Sequence, residues 1–489
     1  MFTRRDLLRL GLLSTGAALI PRRAARAATL ALFDDDMPTS PRTTPFVRPL
    51  PIPPTAVPTS IEPDCDVYDV EMREGVADII PGLPTPIWGY DGITPGPTFR
   101  ARFGRAFKVR QKNSLGEDTV VHLHGAHTPP DSDGHPTDFV LPGTTKEYFY
   151  PNIHPAATHW YHDHTNDFTG PNVYRGLAGM YIVHDDFEDA LNLPSGDYDI
   201  PLVFQDRRFN ADGSLFYNPF DHDGFLGDKF LVNGAIQPYF RVERRKYRFR
   251  LLNGSNARYY ELSLSNRRPI VQIGTEGGLL PAPLSRTKIR IAMAERIDVV
   301  IDFSQYPVGT SFYLQNCLVQ RDGRGPDRVV SSGCTPLVRF DVAFDAVDPS
   351  SLPNVLRPVV RTNLPLGPTR TFEFERSNGA WVINGRFFDE NRVDARPRFG
   401  TKEVWRLVNK SGGWHHPIHI HHDDFIILDR NGRTPPPEER GYKDTVNLAG
   451  NDVVRVEIPF HTFKGRYVFH CHNVEHEDMR MMGQFEVVD

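Results

Sequence analysis

Apolar and polar residues alternate with a period of two over many short stretches of this sequence. Phe107-Lys108-Val109-Arg110, Tyr247-Arg248-Phe249-Arg250-Leu251-Leu252 and Val454-Arg455-Val456-Glu457-Ile458 are examples. Successive side chains of an extended chain point to opposite faces, so each run can put one face on a core and the other in solvent. Turn residues separate the runs and helical periodicity is scarce, which predicts an all-β chain. A turn-then-strand pattern recurs three times: Asp91-Gly92 precedes a strand ending at Asn113, Asn233-Gly234 one ending at Asn253, and Asn384-Gly385 one ending at Asn409. The similar spacing predicts three related β-sandwich domains, the number suggested by 489 residues at roughly 150 per domain. They are expected over residues 61–190, 191–350 and 351–489. Linkers are expected near 187–200 and 345–368, where proline and acidic residues cluster. Residues 28–60, with Pro49-Leu50-Pro51-Ile52-Pro53-Pro54, predict an extended arm without a core of its own.

Composition supports strands over helices, because 43 of the residues are proline, well above the usual share of about 5%. The formal net charge of −5 leaves no basic footprint for nucleic acid. At the start of the chain, Thr3-Arg4-Arg5-Asp6-Leu7-Leu8 precedes an apolar run from Leu10 to Ile20 and a small-x-small site, Ala25-Arg26-Ala27. The run is shorter than the ~20 residues a membrane span needs. Residues 1–27 resemble a twin-arginine export signal, which predicts an exported protein, periplasmic or extracellular. Export permits disulfides. Of Cys65, Cys317, Cys334 and Cys471, the second and third flank a polar loop and could be bridged across a hairpin. Cys471 stands between two histidines and is better explained as a ligand.

Nineteen histidines are present. Ten fall into four compact motifs: His122-Leu123-His124-Gly125, His162-Asp163-His164, His416-Pro417-Ile418-His419-Ile420-His421, and His470-Cys471-His472 followed by His476. A lone histidine is usually a satisfied core or surface residue, but four His-x-His pairs in one chain point to metal. On a strand, His470 and His472 face one way and Cys471 the other. His419 and His421 share a face, and His416 has the opposite parity. Cys471, His416 and His476, which can turn back beyond the strand, then form a thiolate–bis-imidazole set. With a weak axial thioether this is the donor set of blue-copper electron-transfer sites. Met481 is the axial candidate, with Met479 and Met482 nearby. The other face offers His122, His124, His162, His164, His419, His421, His470 and His472. Eight imidazoles exceed the four ligands that satisfy a zinc ion and predict a cluster of several metals. The remaining histidines, such as His127, His415 and His422, lack ligand spacing and read as structural.

The four motifs, in this order, resemble the copper-binding motifs of multicopper oxidases. Trp88-Gly89-Tyr90-Asp91-Gly92-Ile93-Thr94-Pro95-Gly96-Pro97-Thr98, Asp131-Ser132-Asp133-Gly134, Gly441-Tyr442-Lys443-Asp444-Thr445 and His476-Glu477-Asp478-Met479-Arg480-Met481-Met482 also resemble that family. The resemblance covers most of residues 60–489 and is strongest toward bacterial spore-coat laccases, then phenoxazinone synthase and bilirubin oxidase. It implies three cupredoxin-like Greek-key β-sandwiches with a trinuclear copper cluster between the first and third. It implies four coppers: type 1 on His416, Cys471 and His476 with Met481 axial, type 2 on His122 and His419, and a type 3 pair on His124, His162, His164, His421, His470 and His472. It also implies that Asp133 and Glu477 lie on the routes of dioxygen and protons.

The expected activity is laccase-like, coupling four one-electron oxidations of phenolic or aminophenolic substrates to reduction of dioxygen to water by a monomer. Bilirubin oxidase, phenoxazinone synthase and cuprous-ion oxidase activities are alternatives on the same scaffold, although no methionine-rich insert is visible among the eight methionines. Copper nitrite reductase needs fewer histidines and a shorter chain. A copper carrier or a relative that has lost its metals should show broken ligand motifs, and none is broken.

Overall fold

The computed structural model describes residues 37–489; the expected export signal and residues 28–36 lie outside them. Strands are the dominant regular structure of the described chain, with only short helices, and they pair into two-sheet sandwiches. The first sandwich faces the sheet containing Cys65–Ile80, Ala106–Asn113 and Thr145–Tyr150 with the sheet of Gly96–Arg102, Ala178–His184, Ala157–Asp163 and Val121–His124. The third faces Leu366–Ser377, Thr401–Asn409 and Val453–Phe460 with Thr445–Leu448, His416–Ile420, Gly465–Cys471 and Met482–Val487. Between them in sequence, Asp199–Phe209, Lys246–Asn253 and Arg296–Asp302 anchor a third pair of sheets. Each unit has its own apolar core, centred on residues such as Val109 and Tyr161, Phe249 and Phe340, and Trp405 and Phe469.

The threefold repeat read from the sequence has a physical basis. Asp91-Gly92, Asn233-Gly234 and Asn384-Gly385 all have positive φ at both residues. That is the backbone of a tight hairpin turn, which Asn, Asp and Gly adopt at least cost. The side chain of each first residue then accepts from a neighbouring strand: Asp91 from Glu71 N at 3.0 Å, Asn233 from Val203 N at 2.8 Å and Asn384 from Glu373 N at 2.8 Å. The closing asparagines match as well. Asn113, Asn253 and Asn409 end strands that pair parallel with one neighbour and antiparallel with another. Each accepts from the backbone two residues on (Leu115, Ser255, Ser411) and donates to a backbone carbonyl (Val140, Ile291, Leu448). One buried amide thus closes the same corner in all three units.

The described part of the arm has no core and pairs edge-on. Leu50 N donates to Tyr239 O at 2.7 Å, and Thr98 N donates to Pro54 O at 2.7 Å, so the arm straps the first two units together. The first expected linker contains a short helix, Asp186–Ala190, capped by the Asp185 side chain. Cys317 and Cys334 form a disulfide; Cys65 and Cys471 are free and buried. Among the described residues no helix is long and apolar enough to cross a membrane.

Candidate metal centre

Strand register brings the four motifs together. Val121–His124 pairs antiparallel with Ala157–Asp163, placing His122 opposite His162 and His124 opposite Trp160. In the third unit His419 stands opposite His470, and Ile418 opposite Cys471. The two sheets meet so that all eight imidazoles assigned to the cluster converge in one buried space, none more than 2% exposed. His122 Nε2 lies 3.3 Å from His419 Nε2, and His421 Nε2 lies 3.3 Å from both His164 Nε2 and His470 Nε2. His124 Nδ1 lies 3.4 Å from His162 Nε2.

These contacts decide whether metal fits. Burial, reinforced by neighbouring imidazoles, pushes His122, His124, His162, His419, His421 and His472 well below their ordinary pKa, so the rings are neutral. A neutral ring has one N–H and one lone pair. The outer nitrogens hold the protons: His122 Nδ1 donates to Asp133 O at 2.5 Å, His162 Nδ1 to Asp163 O at 2.8 Å and His419 Nδ1 to Asp444 O at 2.9 Å. The inner nitrogens therefore face one another lone pair to lone pair, which a cation between them turns from repulsion into binding. Two nitrogens each ~2.0 Å from one first-row ion at a tetrahedral angle stand about 3.3 Å apart, the spacing observed. His472 has no partner on either ring nitrogen. The residues present fit metal.

On the opposite face of the same strand Cys471 Sγ lies 3.4 Å from His416 Nδ1 and 3.5 Å from His476 Nδ1, with the two nitrogens 3.2 Å apart. His476 returns to the thiol on a short helix, Val474–Asp478, whose N-cap Asn473 accepts from the His476 amide. His416 is set by the corner described above. Asn409 holds Ser411, whose hydroxyl donates to Phe374 O and lies 2.8 Å from His416 Nε2. That contact puts the imidazole proton on Nε2 and leaves Nδ1 free toward the sulfur. Burial pushes the Cys471 thiol well above its ordinary pKa, so a thiolate there calls for a bound cation. Met481 is fully buried in the same core, whereas Met482 packs with Phe388 and Val468 and Met479 is only partly buried. Trp381 lies over His476 with ring centroids 3.9 Å apart and donates to His222 O, while Asn473 donates to Asp223 O. A segment of the middle unit thus roofs the thiolate site.

Three carboxylates surround the cluster. Asp133 Oδ2 lies 2.7 Å from His421 Nδ1. Glu477 bridges two rings, 2.9 Å from His164 Nδ1 and 3.0 Å from His470 Nδ1. Asp444 Oδ1 lies 3.2 Å from His124 Nε2. Burial pushes the Asp133 carboxyl well above its ordinary range. Burial also opposes charge on Glu477, but the His470 and His164 imidazoles outweigh it and hold that carboxyl well below its usual range. Sequence reasoning placed Asp133 and Glu477 near the site but missed Asp444, Ser411, Trp381 and Arg296 as parts of it. Their contacts are set by tertiary packing, and only Asp444 lay in a motif-like stretch. Among the described residues the remaining histidines enter no ligand group of this kind.

Comparison with known proteins agrees with this geometry. Residues 71–188, 195–329 and 361–489 each match a domain described as multicopper oxidase. The chain is 38% identical to a laccase of Bacillus stratosphericus, across 91% of this chain and 99% of the relative. It is 39% identical to a bilirubin oxidase of Albifimbria verrucaria, across 94% and 84% respectively. A multicopper oxidase structure from Pediococcus acidilactici superimposes with a TM-score of 0.83 at 33% identity, covering 93% of both chains.

Proposed function

This chain belongs to the multicopper oxidase family, oxidoreductases that use copper and oxygen, and from that premise we propose that it is a laccase-like oxidase of phenols and aminophenols that holds four coppers. The observation that carries the reading is the pair of buried donor sets on opposite faces of one strand: a thiol with two imidazoles, and eight imidazoles whose lone pairs converge. His416, Cys471 and His476, with Met481 buried in the same core, would hold the type 1 copper. His122 and His419 would hold the type 2 copper, and His124, His162, His164, His421, His470 and His472 the type 3 pair. Bound there, copper supplies one-electron acceptance at the thiolate site and delivery of four electrons to dioxygen at the cluster.

The rest is done by the chain itself. Cys471 is peptide-bonded to both His470 and His472, so a short covalent path joins the two donor sets. Trp381 and the segment around Asp223 keep bulk water off His476. Asp133 and Glu477 flank the imidazoles with their pKa values pushed in opposite directions. That separation suits an acid that holds a proton and a base that passes one on. The relative named laccase supports the laccase-like reading, and the paucity of methionine weighs against cuprous ion. Export through residues 1–27 is supported by the Cys317–Cys334 disulfide, which suits an oxidising compartment.

Three outcomes follow. Cys471→Ser should abolish the blue thiolate-to-copper absorption and oxygen uptake with phenols while leaving the chain folded; undiminished turnover in this variant would refute electron entry at Cys471. Glu477→Gln, which keeps the shape but not the titratable group, should leave type 1 reduction by substrate fast and slow reoxidation by dioxygen by roughly 100-fold or more. Stopped-flow absorbance separates the two half-reactions, and unimpaired reoxidation would return Glu477 to a purely ring-orienting role. Replacing Arg4 and Arg5 together with lysine should retain the protein inside the cell on fractionation; unaltered export would exclude the twin-arginine route.

A further inference from the structure

The middle unit supplies none of the ten histidines, yet one of its side chains reaches the seam between the other two. Arg296 opens the strand Arg296–Asp302 and is fully buried. Its Nε donates to Thr158 O of the first unit at 2.9 Å, and its Nη1 to Ala294 O of its own unit at 3.0 Å. Nη1 also donates to Asp444 Oδ1 of the third unit at 2.9 Å, and Nη2 pairs with Asp444 Oδ2. One guanidinium is therefore bonded to all three units, and its fork fits the carboxylate in a fixed plane.

Asp444 transmits that plane to two rings from different units. Its carbonyl accepts from His419 Nδ1, and its Oδ1 lies 3.2 Å from His124 Nε2. Gly125, at φ +86°, makes room for this: a Cβ there would collide with Asp444 Oδ2 and Arg296 Nη2. Among the seven rings with an outer oxygen partner, His124 is the one whose orientation is reversed. His122, His162, His164, His419, His421 and His470 all turn Nδ1 outward to an oxygen and Nε2 inward. His124 turns Nε2 outward to Asp444 and presents Nδ1 to the cluster. In a neutral imidazole the outer acceptor decides which nitrogen keeps the proton, and hence which binds metal. The His124–His419–Asp444 grouping is thus an anchor and not a further metal site: its ring nitrogens are the outward ones, and His419 Nδ1 already donates to the Asp444 carbonyl.

We infer that Arg296 is a positioning residue of the copper cluster: by clamping Asp444 from the middle unit it commits His124 to Nδ1 binding and keeps His124 and His419 aligned across the seam. The inference rests on the reading that the eight imidazoles hold copper. It gives the ligand-free middle unit a direct part in the cluster. Lysine in place of Arg296 keeps the charge but loses the two-pronged plane; methionine loses both.

The test loads the full-length parent, Arg296→Lys, Arg296→Met and the double variant Arg296→Met/Asp444→Asn with copper in parallel. Copper per chain, the blue band and the electron paramagnetic resonance spectrum are then recorded. The blue band should persist in all four, because the hydrogen bonds of Arg296 go to Thr158, Ala294 and Asp444 and not to His416, Cys471 or His476. Arg296→Met should bind cluster copper roughly 10- to 100-fold more weakly and shift the type 2 resonance, with Arg296→Lys intermediate. The double variant carries no uncompensated buried charge, so it tests the Arg296–Asp444 clamp as a unit should Arg296→Met fail to fold; it too should lose cluster copper. Parent-like copper affinity and resonance in Arg296→Met, or in the double variant if that one alone folds, would overturn the inference. A parent that binds only one copper would instead overturn the four-copper reading beneath it.

Discussion

Neutral imidazoles that face one another with their lone pairs are a cost in any protein, and this fold gathers eight imidazoles in one buried space between its first and third sandwiches. The inner nitrogens of seven of them stand 3.3–3.4 Å from one another. The rings are buried, and burial holds His122, His124, His162, His419, His421 and His472 well below their ordinary pKa. The arrangement is favourable only with cations at its centre, and most of the outer architecture can be understood as what keeps the rings pointing inward. A carbonyl or carboxylate oxygen sits behind seven of the eight, and each fixes which nitrogen is offered.

The thiolate site obeys the same logic at smaller scale. Its geometry descends from a strand-ending asparagine: Asn409 sets Ser411, Ser411 sets His416, and His416 meets Cys471. The equivalent asparagines, Asn113 and Asn253, close the same corner in the other units by holding Leu115 and Ser255, neither of which hydrogen-bonds a ligand histidine. A structural corner common to three repeated units has thus been put to chemical use in one of them. The alternation of a strand then does the rest, placing Cys471 on one face and His470 and His472 on the other, one peptide bond away.

Much of this was legible in the sequence because it depends on local periodicity. Period-two alternation gave the strands, His-x-His spacing gave the shared faces, and the Asn-Gly and Asp-Gly turns marked the repeat. The middle unit's contribution was not legible. Arg296 sits in Arg296-Ile297-Asp298-Val299-Val300, a stretch that reads as an ordinary strand, and its partners Thr158 and Asp444 are more than a hundred residues away on either side. Nor could alternation reveal that Trp381 covers His476 or that Glu477 spans two rings, since both depend on how separate elements pack. The reversed ring of His124 is the clearest case: its spacing from His122 is that of any pair on a strand, and only the carboxylate behind it sets it apart.

The central claim is that the seam between the first and third sandwiches is a metal-filled space. Anomalous X-ray scattering at the copper edge, from crystals of the copper-loaded protein, tests it most directly. Four peaks are expected, one among Cys471, His416 and His476 and three within the ring of eight imidazoles. A single peak at the thiolate site, with none among the imidazoles, would contradict the account.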